Sequence, residues 1–187
     1  MKKRMLALGS VAAVILTGCV VTSVHPYYLT KDVQYQPALV GQWTNAEASD
    51  ECWTFEKQGS EGYRLDYLSN GKHTALDVRF FKLNGQSFLD LGGLDKDCDI
   101  APPPVPSHLL LRVNQLSPTV QLAPLNHDWL KSVLQNDPKA LRHLMIGNTP
   151  DDQRVVLTAD TTELQQFLVK HLEEQTVWKD RFELKRK

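Results

Sequence analysis

Between Leu39 and Leu91, apolar and polar residues alternate with a period of two, and this pattern commits the segment to antiparallel sheet. Cys52, Thr54 and Glu56 alternate with Trp53, Phe55 and Lys57, while Tyr63, Leu65 and Tyr67 alternate with Arg64, Asp66 and Leu68. Successive side chains of a strand point to opposite faces, so such a run buries one face and wets the other. Asn70-Gly71 and Asn84-Gly85 separate the runs. Both central residues of a type I′ hairpin turn need φ > 0, which Asn and Gly adopt at least cost. Ala75, Val78 and Phe80 are followed by Phe81 and Leu83. That slip of apolar phase predicts a β-bulge, or a strand that changes which face it buries. With Gln86–Leu91 the segment forms a meander.

Residues 92–106 read as a loop, because Pro102, Pro103 and Pro104 cannot sit together in a central strand. His108–Val113 and Thr119–Ala123 resume the strands. The period then changes. Asn126 can cap a helix through Gln135, with Trp129, Leu130, Val133 and Leu134 on one side. Asp137-Pro138 reads as the N-cap and first residue of a second helix that Gly147 closes. Arg154–Ala159 is a strand. Asp160 and Glu163 open a third helix, with Leu164, Phe167, Leu168 and Leu172 on one face, and Phe182–Lys185 is a last strand. The expected fold is α+β: an antiparallel sheet or barrel of about eight strands with two or three helices against it.

The first residues carry a different signal. Lys2, Lys3 and Arg4 precede an uncharged run from Met5 to Leu16. Crossing a bilayer takes about 20 apolar residues; this shorter run suits the apolar region of a signal peptide. It ends in Leu16-Thr17-Gly18-Cys19, which resembles the lipobox of bacterial lipoproteins. The resemblance implies a diacylglycerol on the Cys19 thiol, removal of residues 1–18, and acylation of the new amine. Several acyl chains hold a protein to a membrane stably. Val20 and Val21 follow the cysteine with no Asp after it, which in lipoproteins of this kind implies delivery to the outer membrane, facing the periplasm. Residues 19–37 read as a tether that could hold a single domain, 38–187, up to about 60 Å from the bilayer at ~3.3 Å per residue.

Removing residues 1–18 leaves 18 basic and 22 acidic residues, a net charge of −4. That balance offers no basic face for nucleic acid. Cys52 and Cys98 remain, in a compartment that permits disulfides. A bridge would close a loop of about 47 residues and contribute up to roughly 4 kcal/mol by chain entropy; the alternative is two separate thiols.

Gly41-x-Trp43 ahead of an antiparallel meander is similar to the opening of lipocalin-like proteins. In that family the tryptophan plugs one end of a barrel, and a late helix packs outside before the final strand. The chain also resembles a group of bacterial lipoproteins that share four stretches with it: Pro37 to Trp43, Phe88 to Leu91, His108 to Val113 and Leu157 to Leu168. That second resemblance brings a type of molecule but no activity.

Spacing does not assemble an enzyme. His25, His73, His108, His127, His143 and His171 are scattered, with no two at metal-ligand spacing. Gln58-Gly59-Ser60-Glu61-Gly62 lacks the first glycine of a nucleophile elbow. Asn126-His127-Asp128 could supply an acid–base pair or simply cap a helix. Asp95, Asp97 and Asp99 are spaced as in a calcium loop, but Ile100 replaces the turn glycine; the other reading is a solvated acidic loop. Trp43, Trp53, Tyr63, Tyr67, Phe80 and Phe88 can line an apolar cavity or fill a core, because eight-stranded barrels stand at the boundary between the two. The expectation is a non-enzymatic envelope lipoprotein with no cofactor beyond its lipid. It would bind a small apolar ligand or an envelope protein. The alternative is an inhibitor of a periplasmic hydrolase that acts through the loop at 92–106.

Overall fold

The computed structural model describes residues 21–48, 50–93, 107–149 and 153–187. Cys19, Cys98, Asp95, Asp97 and Asp99 lie outside the described residues. Eight antiparallel strands close into a barrel: β2 (Gly41–Asn45), β3 (Cys52–Gln58), β4 (Gly62–Ser69), β5 (Lys72–Leu83), β6 (Gln86–Gly93), β7 (His108–Gln115), β8 (Val120–Pro124) and β11 (Phe182–Arg186). Around the wall they run β6-β5-β4-β3-β2-β11-β8-β7, and β6 pairs with β7 to close it. A smaller sheet leaves the barrel at β7. In it β1 (Thr22–Ser23) pairs with both β7 and β10 (Arg154–Leu157), and β9 (His143–Ile146) pairs with β10. Two helices are described, α1 (His127–Asn136) and α2 (Thr161–His171). The molecule is therefore mostly β, where the periodicity suggested α+β.

Both Asn-Gly turns form as their sequence requires. Asn70 and Gly71 have φ of 51° and 73°, Asn84 and Gly85 of 48° and 79°. Helix α1 begins where Asn126 accepts hydrogen bonds from the Asp128 and Trp129 amides, and α2 where Asp160 accepts one from Glu163. The helix expected from Asp137 to Gly147 does not form. Asp137 instead caps a single turn through the amides of Lys139 and Ala140. The next residues pair in register with Arg154–Leu157. A β-branched partner strand with a free edge outweighs a helical propensity that nothing else supports.

There are two apolar cores, and the wall between them explains the phase slip in β5. Val78 and Phe80 point into the barrel with Trp43, Trp53, Phe55, Tyr63, Leu65 and Leu89. Phe81 points outward with Phe88, Leu110 and Ala123, into a core completed by both helices. β5 pairs with β6 in unbroken register from Leu76↔Gly93 to Leu83↔Gln86. There is thus no bulge at Phe80-Phe81 and no change of face. The strand is apolar on both sides there because both sides are covered. The register shift in this wall falls instead between β7 and β8, at Val113/Gln115.

The stretch expected as a tether is packed against the domain from Val21 onward. Val21 and Tyr27 are buried in the outer core. Val33 bridges to Phe81, the Gln34 amide donates to the Phe80 carbonyl, and the Tyr35 ring stacks on Tyr63 at 5.5 Å. β4 begins its pairing at Gly62↔Arg79, so the edge of β5 beyond Arg79 is open, and residues 33–34 occupy it. Aromatic residues with an unmet hydrogen-bonding edge beside them gain more by docking than by staying in water.

Two stability measurements follow. The Phe88 ring sits between Phe81 and Trp178, with centroids 5.4 and 5.6 Å away. Phe88→Ala is expected to cost about 3–5 kcal/mol in urea unfolding. Burial pushes the Tyr67 phenol up to about 12. A tyrosine titrates near 10 when unfolded. The neutral phenol's contribution is thus complete below about pH 10 and is lost as pH rises through 12. Melting temperature should fall across that window, and Tyr67→Phe should reduce the slope.

Candidate functional site

On the outer wall, at the junction with the small sheet, alternation turns polar side chains away from the barrel. Asp77 and Arg79 alternate with Val78 and Phe80 on β5, Asp90 with Leu89 and Leu91 on β6, and His108 with Leu109 on β7. Register brings them together: Arg79 stands opposite Asp90, Asp77 opposite Gly92, and Gly92 opposite His108. With Tyr28 and Gly93 they line a cleft of about 90 Å³.

Asp90 organises this cleft. Its carboxylate is only 2 % exposed. One oxygen accepts the Tyr27 backbone N–H at 2.8 Å, and the other faces His108 Nδ1 at 2.7 Å. An anion buried this deeply survives because charge-assisted bonds hold it from both sides. The pair fixes the imidazole, leaving Nε2 with no protein partner among the described residues. Arg79 Nη1 donates to the Val78 carbonyl at 3.1 Å and lies 3.5 Å from Asp77 Oδ1. Gly62 gives that guanidinium its space, since a Cβ there would overlap it. Burial raises the Tyr28 phenol, and the Asp90 charge adds to this against the opposing Arg79. Tyr28 therefore keeps its proton and remains a donor.

The support behind Asp90 extends to α2. Thr161 Oγ1 donates to the Pro26 carbonyl at 2.7 Å, and Gln165 Nε2 donates to the Tyr27 carbonyl at 3.0 Å and to Asp32 Oδ2 at 2.9 Å. Helix, N-terminal strap, carboxylate and imidazole form one chain of contacts. The result is an oriented imidazole and a guanidinium beside two carboxylates, all on rigid strands. Such a surface can donate to and accept from the same ligand group.

The residues singled out in the sequence are distributed differently. Trp43, Trp53, Tyr63, Tyr67 and Phe80 line the barrel interior, whereas Phe88 faces the outer core. A ligand-sized void would leave its walls with accessible surface, yet Trp43, Trp53, Phe55, Tyr63, Leu65, Phe80 and Leu89 each keep at most 2 % of theirs. Cys52 is half-buried with no disulfide partner among the described residues, its Sγ 3.9 Å from the Thr54 hydroxyl. Asn126 caps α1, and His127 Nδ1 lies 3.3 Å from Asp128 Oδ1. His73 and His171 face Asp66 and Glu174, and His143 faces the Leu141 carbonyl. His25 is exposed. Among the described residues no three metal-ligating side chains converge.

The chain matches no family model, no curated protein and no solved structure.

Sequence spacing could not bring Asp77, Arg79, Asp90 and His108 together, because they lie on three different strands. One signal was present: Asp90 interrupts the apolar run Phe88-Leu89-Asp90-Leu91. A carboxylate in a strand buried on both faces needs a partner. Asp90→Ala leaves the Tyr27 amide without its acceptor and His108 unsupported, so a loss of about 1–3 kcal/mol is expected. Hydrogen exchange at the Tyr27 amide should accelerate with it. Asp66→Ala removes the exposed partner of His73 and should cost below about 1 kcal/mol.

Proposed function

We propose that this chain is a lipid-anchored protein of the cell envelope, attached through Cys19, that binds a partner at the outer wall of a lipocalin-like barrel. One contrast carries the reading. The interior aromatics have almost no accessible surface, while the cleft at Asp77, Arg79, Asp90 and His108 is open and ringed by ionisable groups. Its volume of about 90 Å³ is far below the roughly 300 Å³ at which small-molecule pockets begin. It suits one polar group presented by a larger partner. Arg79 donates, Asp77 and the His108 Nε2 left free by the Nδ1–H···Asp90 bond accept, and a hydroxyl or amide-bearing side chain satisfies both. Groups held on strands keep their positions before the partner arrives, which lowers the entropy cost of binding.

Four observations support the lipocalin-like description. Trp43 is buried, its Nε1–H donates to the Leu39 carbonyl at 2.8 Å, and the Arg186 guanidinium lies 5.1 Å from its ring centroid. α2 packs outside the barrel before the last strand, β11. A second reading, inhibition of a hydrolase through the connection between β6 and β7, draws on one contact. The Gly93 amide donates to the Ser107 carbonyl at 3.0 Å, so both ends of that connection meet at the rim of the cleft.

A photoreactive amino acid at Ser107, expressed in the native host, tests the reading. Expected is a crosslink to one envelope protein that is lost in His108→Ala and absent when the probe stands at Glu56 on β3. A hydrolase in that crosslink selects the second reading. Crosslinks of equal yield from both positions would refute the cleft as the binding surface. So would an apolar ligand that stays with the barrel in native mass spectrometry.

A further inference from the structure

The small sheet ends in an edge strand. Among the described residues β9 pairs with β10 alone, and its outward side chains Leu144 and Ile146 are 55 % and 53 % exposed. Register places Thr22, Val156 and Leu144 in one row across the three strands, with Arg154 and Ile146 in the next. The inward side is occupied: Val155 and Leu157 belong to the outer core, and Met145 packs against it. Single exposed aliphatics are ordinary, but two on a bare edge strand make a template for pairing that proteins normally blunt.

The course of the chain indicates what covers this face. β1 runs parallel to β10. Followed back from Ser23 to Val21, the chain therefore points along β10 from Leu157 toward Arg154, the end that carries Ile146. Val21 is already fixed in the outer core at 3 % exposure. Its Cα is two peptide units from that of Cys19, at most about 7.6 Å. Strands lie about 4.8 Å apart, so the Leu144 Cα is about 10 Å from that of Thr22. Acyl chains on Cys19 would then enter a bilayer within about 20 Å of Leu144 and Ile146. The packed strap leaves no slack for the domain to stand away.

We propose that the outward face of the β1–β10–β9 sheet rests on the phospholipid surface that holds the Cys19 anchor. Leu144 and Ile146 reach the acyl boundary, and Arg154 lies beside them among the headgroup phosphates. Aliphatic side chains with a long cationic neighbour are suited to that depth, because the guanidinium stays at the phosphates while its stem lies along the apolar layer. The inference rests on the acylation of Cys19 proposed above. It adds an orientation to that anchoring: β7 pairs with β1 through His108↔Ser23, so the cleft is held close to the membrane.

The test uses acylated full-length protein in vesicles of phosphatidylethanolamine and phosphatidylglycerol that contain a diazirine phospholipid. After illumination, labelled peptides are mapped by mass spectrometry. Expected is several-fold stronger labelling of residues 143–157 than of the β3–β4 hairpin at 56–64, on the opposite wall of the barrel. In L144E/I146E, with both side chains already over half exposed, the fold should persist by circular dichroism. Labelling of 143–157 should drop to the hairpin level while the protein still floats with the vesicles. Wild-type protein that floats and carries acyl mass on Cys19, yet labels 143–157 no more than 56–64, overturns the orientation and leaves the anchor standing. Intact mass without acyl groups on Cys19 removes the anchor and the orientation together. Crosslinks joining β9 of two copies assign the edge to a second chain and overturn the proposal as well.

Discussion

Where they carry Phe81, Phe88 and Leu110, strands β5, β6 and β7 are covered on both faces, and most other features of the molecule follow from that. Inside, Val78, Phe80, Leu89, Leu91 and Leu111 complete the barrel. Outside, Phe81, Phe88 and Leu110 require a second apolar layer, which α1, α2, the small sheet and the N-terminal strap supply. Burying an aromatic side chain contributes on the order of 2–3 kcal/mol. Leaving Phe81 and Phe88 in water would forfeit that contribution twice over and expose an adhesive patch on the wall. The outer layer is thus a condition for this barrel to exist in this form.

A wall sealed on both faces is also a hard place for charge. Asp90 lies on it at the margin of the outer layer, where the strap passes. Its carboxylate is tolerated because the Tyr27 amide and the His108 ring reach its two oxygens. The same bonds dock the strap and orient the imidazole, so folding and site formation share one interaction. α2 reinforces it from behind through Thr161 and Gln165. The cleft is accordingly a product of the outer layer's assembly, set at its rim.

Much of the barrel was legible in the sequence because its determinants are local. Period-two alternation sets the strands, and Asn70-Gly71 and Asn84-Gly85 set the hairpins. Asn126 and Asp160 set the helix starts. The failures have a common cause. The run from Ala140 to Ile146 suits a helix or a strand, and only its pairing with Arg154–Leu157 decides between them. Phe80-Phe81 looked like an irregularity because alternation presumes one wet face, and at these two residues the strand has none. The polar, aromatic stretch before Pro37 looked like a tether because its docking sites are the open edge of β5 and the rings of Tyr63 and Phe81, all distant in sequence.

The site was the least legible part. Asp77, Arg79, Asp90 and His108 come from three strands with ordinary local patterns, and they converge only through the β5–β6 and β6–β7 registers. By itself the sequence determined which stretches are strands, where the chain turns, where two helices begin, and which residues are apolar enough to be buried. Those choices depend on side-chain alternation, backbone φ and capping, all settled within a few residues. The tertiary structure alone decided that the wall has two covered faces, that Asp90 holds strap and imidazole together, and that the cleft lies outside the barrel. Each of those depends on which distant surfaces meet, and that is fixed by the registers between strands and the packing of one layer on another.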